Sequence, residues 1–273
     1  MTKPKAYSVQ VQNLDYSYED KKILQDININ FKENKFYSII GPNGSGKTTF
    51  IKNLSKILEP KKNSILIEDK DIISYKNKEL AKKVSTVPQN TILDFDFSAL
   101  DIVLMGRSPY ISRLQSENDK DMELVKNAME MTNTWQLREK NISSLSGGEQ
   151  QRVLIARALA QDTKIILLDE PISHLDLYHQ VELLDTIKFL NRDITIITVL
   201  HDLNLAAQYS DEILLMSKGR IISQGSPEEV ITKKNIKEVY NMDVHLLKNP
   251  SNGRPHIIPI SKSLENKKEL YAT

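Results

Sequence analysis

The sequence predicts an α/β fold in which a parallel sheet carries its chemistry at the strand ends. Three stretches support this. Phe36-Tyr37-Ser38-Ile39-Ile40 leads into Gly41-Pro42-Asn43-Gly44-Ser45-Gly46-Lys47-Thr48-Thr49, after which Phe50, Ile51, Leu54, Ile57 and Leu58 take helical spacing. Ile165-Ile166-Leu167-Leu168 is a run of four aliphatic residues ending in Asp169-Glu170-Pro171, as expected of a strand buried on both faces. Ile194 to Leu200 reads as another buried strand and ends in His201. Open sheets of this type place their ligands at the carboxyl ends of the strands.

The first stretch has the order strand, glycine-rich turn, helix start that a phosphate loop requires. Its glycines let the backbone fold tightly and bring N–H groups close to a polyphosphate. The helix start adds partial positive charge and unpaired donors. Lys47 is placed to reach the β- and γ-phosphates, and the Thr48 hydroxyl to hold Mg²⁺. A turn with a chance lysine does not account for eight constrained positions after a strand. The chain is expected to bind a nucleotide.

Composition narrows the classes. The 273 residues are long enough for one large α/β domain or two small ones. A formal charge of +1, with both signs interspersed, gives no basis for nucleic acid as the main ligand. The absence of cysteine excludes disulfides and thiolate metal sites. Met1-Thr2-Lys3-Pro4-Lys5 leads into no apolar run, so no signal peptide is expected, and the apolar runs are too short to span a bilayer. The reading is a cytosolic protein that reaches a membrane only through a partner.

Residues 7–31 read as β-rich, with a charged turn at Glu19-Asp20-Lys21-Lys22. Tyr16 and Tyr18 precede it, and by pattern each fits a half-buried strand position better than a base-stacking one. Strands follow at 64–68 and at Val84-Ser85-Thr86-Val87, the latter stopped by Pro88, so that Gln89 lies where the chain leaves the sheet. There it can orient water, touch a metal or cap. Ser98 to Asp101 resembles a capping box, Gly106-Arg107-Ser108-Pro109-Tyr110 breaks the helix it starts, and Asn118 to Asp121 begins another. Met122, Leu124, Val125, Ala128, Met129 and Met131 are spaced as one helical face and read as core.

Leu145-Ser146-Gly147-Gly148-Glu149-Gln150 opens a further helix. Ser146 and Glu149 suit a capping box. The two glycines are not needed for capping and cost helix stability, about 1 kcal/mol each in an interior. Exposed amides at a positive helix end would make an anion site, so both readings stand. Asp169 can hold Mg²⁺ and Glu170 can polarise water. His201 can hydrogen-bond a γ-phosphate, or be structural. His174, His179, His245 and His256 show no paired metal spacing. Glu212 to Met216 and Ile221 to Ser223 form a hairpin about Lys218-Gly219-Arg220, Ser226-Pro227 starts a helix, and residues 261–273 are expected to fray.

Taken in order, these motifs resemble the ATP-binding subunits of ABC transporters over roughly residues 7–260. Residues 41–48 are similar to Walker A, Gln89 to the Q-loop, and Leu145 to Gln150 to the ABC signature, the most specific motif present. Asp169 and Glu170 look like Walker B and the catalytic carboxylate. Ser173-His174-Leu175-Asp176 resembles the D-loop and His201 the H-loop. Tyr18 is similar to the aromatic that stacks on adenine, which reverses its reading by pattern. Asn63-Ser64 and Asp69 stand where the family often has glycine, and both residue types tolerate turn geometries.

The resemblance implies an α/β P-loop NTPase (ABC ATPase) core with an N-terminal antiparallel β subdomain and an inserted α-helical subdomain. One domain would span 1–260, with the helical insertion at approximately 92–160 and a polar tail at 261–273. It implies ATP and Mg²⁺ as cofactors, with Thr48, Gln89 and Asp169 at the metal. Glu170, His201, Lys47 and Gln89 would act in hydrolysis. Two ATPs would be sandwiched in a homodimer between Walker A of one subunit and Ser146, Gly147, Gly148 and Glu149 of the other, with Asp176 at the same interface. Gln89 would pass movement to a membrane permease at the cytoplasmic face, served by an extracellular binding protein.

Asp101 to Tyr110, Val239-Tyr240-Asn241-Met242-Asp243-Val244 and Asn249 to Pro255 resemble importers of iron–siderophore, haem and vitamin B12, with iron chelate the first choice of cargo. A ribosome-acting ABC factor would carry two phosphate loops, where this chain has one. A chromosome-type ATPase would place a long coiled coil between residues 47 and 146, and no heptads do so. A small-molecule kinase would not explain the signature.

Overall fold

The computed structural model describes residues 7–89, 96–112, 117–173, 175–191 and 193–261. The tail expected to fray, 261–273, lies almost wholly outside the described residues, as does His174. Two long strands, β1 (Tyr7–Tyr18) and β2 (Lys21–Lys32), precede β3 (Phe36–Ile40), whose five residues are all buried. Helix α1 (Lys47–Leu54) follows the glycine-rich loop. After it come β4 (Ile65–Ile67), β5 (Lys70–Asp71), α2 (Asn77–Leu80) and β6 (Val84–Val87).

Next in the chain is a helical block. It consists of α3 (Ala99–Leu104), α4 (Asp119–Met131) and α5 (Gly147–Ala160). Strand β7 (Ile165–Asp169), helix α6 (Leu177–Leu190), β8 (Thr195–Val199) and α7 (Leu203–Tyr209) then alternate. The chain closes with the hairpin β9 (Glu212–Ser217) and β10 (Arg220–Gly225), the short α8 (Pro227–Val230) and α9 (Lys233–Tyr240), and a second hairpin, β11 (Val244–Lys248) and β12 (Pro255–Pro259).

The central sheet runs β10-β9-β3-β8-β7-β6, parallel except for β10 at its edge. Strands β3, β7 and β8 are buried at every position, which is why their sequences lack polar alternation. Strands β1, β2, β4 and β5 make a separate antiparallel sheet. The sequence could not assign β4 to it, because three residues, Ile-Leu-Ile, carry no sheet preference. Asn63 and Asp69 take φ of 64° and 60°, the left-handed turns expected where glycine often stands.

Two cores follow from this layering. One lies between the antiparallel sheet, α1 and one face of the central sheet, around Phe31, Tyr37, Phe50 and Ile197. The other joins the opposite face to the helical block and the C-terminal elements, around Phe36, Val153, Leu168, Leu184 and Ile236. The helical face of α4 is narrower than its spacing suggested. Val125, Ala128 and Met129 are buried, whereas Met122 and Met131 are 37% and 43% exposed. Asp121, instead of Met122, points inward, because it meets a buried cation.

That cation is Arg107, whose Nε lies 2.8 Å from Asp121 Oδ1 and whose Nη1 donates to Ala160 O at 2.7 Å. The Arg107 guanidinium also stacks over the Tyr110 ring at 4.1 Å. The segment that breaks α3 thus ties the first turn of α4 to the last turn of α5. Hydrogen bonding to Arg107 holds the Asp121 carboxyl below its usual value of 3.8. A depressed carboxylate pKa contributes stability above the unfolded value, and that stability is lost as pH falls through the folded one. Asp121→Asn is expected to lower the unfolding free energy by about 3 kcal/mol at neutral pH, since it strands a buried charge. In urea titrations the gap to wild type should narrow below about pH 4.

Candidate functional site

Three strand ends and one loop build a single cavity. The parallel register pairs Val87 with Leu168 and Asp169 with Val199, so β6, β7 and β8 end side by side. The residues that follow them, Gln89, Glu170 and His201, line a cavity of about 640 Å³. Its opposite wall is the loop Asn43 to Thr49.

The loop is shaped by crowding. Gly46 takes φ 101° and is the N-cap of α1, with no side chain to cap the helix amides. A Cβ on Gly46 would lie 2.9 Å from Leu24 Cδ2, and one on Gly219 would lie 2.0 Å from Ile23 O. Gly219 N donates to Ser45 O at 3.0 Å, and Gly219 O accepts from Gln25 N at 2.8 Å. The β9–β10 turn therefore clamps the loop against β2. The result is an open helix end aimed at the cavity, the arrangement that binds anions.

Lys47 is buried, and its ammonium donates to Gly41 O at 2.8 Å and Pro42 O at 3.0 Å. A third N–H remains for the cavity. Burial pushes its pKa down, opposed by the charges of Glu170 and Asp169. Ser45 Oγ is buried with no hydrogen-bond partner, an orphan that an anion in the loop would satisfy.

Asp169 is 2% exposed and accepts a 3.3 Å hydrogen bond from Thr48 Oγ1. Burial raises its pKa and the Glu170 charge raises it further, with the Thr48 hydrogen bond opposing. A buried carboxylate beside a hydroxyl is an all-oxygen donor pair, which suits a hard cation that keeps several of its waters. The residues present therefore fit Mg²⁺.

Glu170 adopts φ 55°, a left-handed conformation costly for a residue with a Cβ, about 1–3 kcal/mol. This turn directs its carboxylate sideways along the strand ends. Oε2 accepts from Gln89 Nε2 at 2.6 Å, and Oε1 lies 2.5 Å from His201 Nε2. A carboxylate has about four acceptor positions, so this grip leaves room for a water.

Other expected residues stand elsewhere. Tyr18 does not line the cavity. It is 43% exposed, edge-to-face with Tyr16 and paired across the ladder with Lys21. Lys21 and Ile23, which do line it, were missed. The charge run places Lys21 in a turn with Glu19-Asp20, but the turn is only Glu19-Asp20, and spacing of two on β2 puts Lys21 and Ile23 on one face.

The second-subunit set is outside this cavity as well. Ser146 and Glu149 form the capping box, with Ser146 Oγ 2.8 Å from Glu149 Oε2. A Cβ on Gly147 would meet nothing within 4 Å, so packing within the subunit does not require glycine there. Asp176 caps α6, accepting from His179 N at 3.0 Å. His245 and His256 lie on the C-terminal hairpin, away from the cavity walls.

Comparison with known proteins agrees with this geometry. The family model described as ABC transporter matches residues 24–173. The petrobactin import ATP-binding protein FpuD of Bacillus anthracis is 37% identical over 265 residues, covering 96% of this chain and 97% of that protein. The iron(3+)-hydroxamate import ATP-binding protein FhuC of Bacillus subtilis is 36% identical over 96% of this chain and 98% of its own. The cobalamin import ATP-binding protein BtuD of Halobacterium salinarum is 32% identical over 93% of this chain and 64% of its own. Among solved structures, a metal-chelate type ABC transporter in an inward-facing conformation superposes with TM-score 0.81 at 29% identity, over 94% of this chain and 99% of that one. The dimeric ABC transporter cassette MJ0796 gives 0.71 at 28% identity, over 80% and 98%.

The orphan hydroxyl provides a test of the loop. Ser45→Ala removes no bond from the folded protein, so its thermal midpoint should match or exceed wild type. ATP affinity by calorimetry should fall about tenfold, the loss of one hydrogen bond to a charged ligand.

Proposed function

The chain belongs to the ABC transporter family of ATP-binding proteins, and from there we propose that it energises import of an iron(III)-siderophore complex through a membrane permease. The observation that carries the hydrolytic part is the grip on Glu170 by Gln89 and His201, in the wall facing Lys47. The cargo rests on the relatives that import petrobactin and iron(3+)-hydroxamate.

ATP enters with its phosphates on the loop Gly41 to Thr49 and its base toward the β1–β2 end, where Ile23 lines the cavity and the Tyr18 ring stands exposed beyond it. Lys47 holds the γ-phosphate. Thr48, Asp169 and Gln89 would hold Mg²⁺, which supplies charge neutralisation to the phosphates. Glu170 accepts the proton side of a water and turns its oxygen toward the γ-phosphorus. His201 would turn the single N–H of its Nε2 from Glu170 Oε1 toward the oxygens on which charge develops.

No helix among the described residues is long and apolar enough to cross a membrane. The work must therefore reach the permease by contact at the membrane surface. ABC cassettes dimerise, as MJ0796 does. For this chain the proposal is a homodimer in which Ser146, Gly147, Gly148 and Glu149 complete the partner's ATP site, with Asp176 between the two sites. The open space over Gly147 supports it, because amides at a bare helix start can receive a γ-phosphate from outside. ATP would favour the closed dimer through its extra contacts there, and hydrolysis would reopen it. Residues 92–160 would move as one helical subdomain within a domain spanning 1–260, and an extracellular binding protein would deliver the cargo.

Glu170→Gln is expected to bind ATP and turn it over very slowly, accumulating the closed dimer on gel filtration. Turnover near wild type would remove Glu170 from the role. Cells lacking the chain should lose uptake of labelled ferric siderophore and regain it with wild type but not with Lys47→Ala. Loss of cobalamin uptake instead would keep the importer and change its cargo.

A further inference from the structure

The C-terminal hairpin is absorbed by none of the roles above, yet it is fastened to the helix that directly follows His201. Helix α7 starts two residues after His201, with Asp202 as its N-cap accepting from Asn204 N at 2.7 Å and Leu205 N at 2.9 Å. Asn204, in the first turn, is joined to β12 by two hydrogen bonds. Its Nδ2 donates to Ile257 O at 3.2 Å and its Oδ1 accepts from Ile257 N at 2.7 Å. The side-chain amide thus occupies the place of a neighbouring strand on β12. At the other end of α7, Arg254 Nη1 donates to Ala207 O at 3.2 Å and to Ser210 O.

The hairpin is itself anchored. Ile257 and Val244 are buried in the core shared with the helices, and Ile260 N donates to Asp243 O at 3.0 Å. Its pairing runs from Val244–Pro259 to Lys248–Pro255 without a shift. The far end of α7 is bolted to β3 and to α6, with Ser210 Oγ donating to Ser38 Oγ at 2.6 Å and Tyr209 Oη to Asp185 Oδ1 at 2.8 Å. On the strand side of His201, Leu200 N donates to Ile39 O at 3.2 Å; on the helix side, the near end of α7 is held by the Asn204–Ile257 pair together with the packing of Leu203 and Leu205.

We propose that Asn204 is a positioning residue for His201, and that the hairpin β11–β12 thereby sets how the His201 imidazole meets Glu170. This rests on the reading that His201 and Glu170 act in hydrolysis. A hydrogen bond of 2.5 Å between His201 and Glu170 demands that the short segment joining β8 to α7 be placed within a few tenths of an ångström, and α7 is one of its two anchors. A mounting that leans on a backbone strand through a two-point amide supplies that placement, and a hydrophobic contact, which has no direction, does not.

The test uses the full chain with two variants, Asn204→Leu and Arg254→Met. With five histidines in the sequence, their ring signals can be followed individually by NMR. The expected result for Asn204→Leu is a displaced or broadened His201 ring signal, an unchanged His179 signal, and kcat for ATP lower by roughly tenfold or more with KM unchanged. Arg254→Met should do the same more weakly. A His201 signal and a kcat equal to wild type in both variants would overturn the proposal. So would loss of ATP affinity together with movement of every histidine signal in both variants, which would mean plain unfolding. His201→Ala and Glu170→Gln run alongside: if they retain turnover, the reading of hydrolysis fails, and if they lose it while Asn204→Leu does not, only the positioning role fails.

Discussion

The reach of Glu170 is the constraint on which the rest depends. Its two carboxylate oxygens meet a glutamine from the end of one neighbouring strand and a histidine from the end of the other. Such a grip exists only if three strands end level, in parallel, in the order β6, β7, β8. Parallel strands need crossovers, and the crossovers here, the helical block from β6 to β7 and α6 from β7 to β8, pack on the same face, leaving the other face to α1 and the antiparallel sheet. Covering both faces of the sheet is then obligatory, because β7 and β8 have no polar face to show to water. The two cores are consequences of that requirement.

Electrostatics at the site is held out of balance by the same burial. Asp169 and Lys47 are both buried, and burial shifts each toward its neutral form, with Asp169 raised and Lys47 lowered. Lys47 resists through the charges of Glu170 and Asp169, and Asp169 through the Thr48 hydrogen bond and the charges of Lys52 and Lys47, while Glu170 pushes Asp169 further toward neutral. A polyphosphate with a divalent cation brings the opposite charges to both, so ligand binding and ionisation favour one another. The orphan hydroxyl of Ser45 belongs to the same pattern of groups whose partners lie outside the protein.

Much of this was legible in the chain. The loop 41–49, the carboxylates after β7 and the histidine after β8 announce themselves, because buried parallel strands are continuous apolar runs and their ends are abrupt. Capping at Ser98, Asn118, Ser146 and Ser226 was readable for a similar reason, since a short polar side chain three residues before a carboxylate has little else to do. What was not readable was lateral. Nothing in Ile65-Leu66-Ile67 says that it joins β1, and nothing in Lys21 or Ile23 says that they face a loop more than twenty residues on. The stripe on α4 went wrong at Met122 because a buried arginine, brought from another segment, made aspartate the better inward residue. The final hairpin did carry a signal in Asn252-Gly253, with Gly253 at φ 73°, a turn pair easily passed over near a chain end.

The junction of Gly46, Ile23 and Gly219 has one more consequence, for the substitutions this chain can absorb. Backbone meets backbone there with no side chain between, and an added methyl would strike main-chain or buried atoms from either glycine. Such a contact has no intermediate settings. A packed side chain can be enlarged or trimmed in small steps, each at modest cost, whereas this joint is either closed or sprung. Drift in nucleotide preference must then work through the exposed neighbours on the β1–β2 turn, leaving the joint as a fixed point around which the rest of the pocket is free to vary.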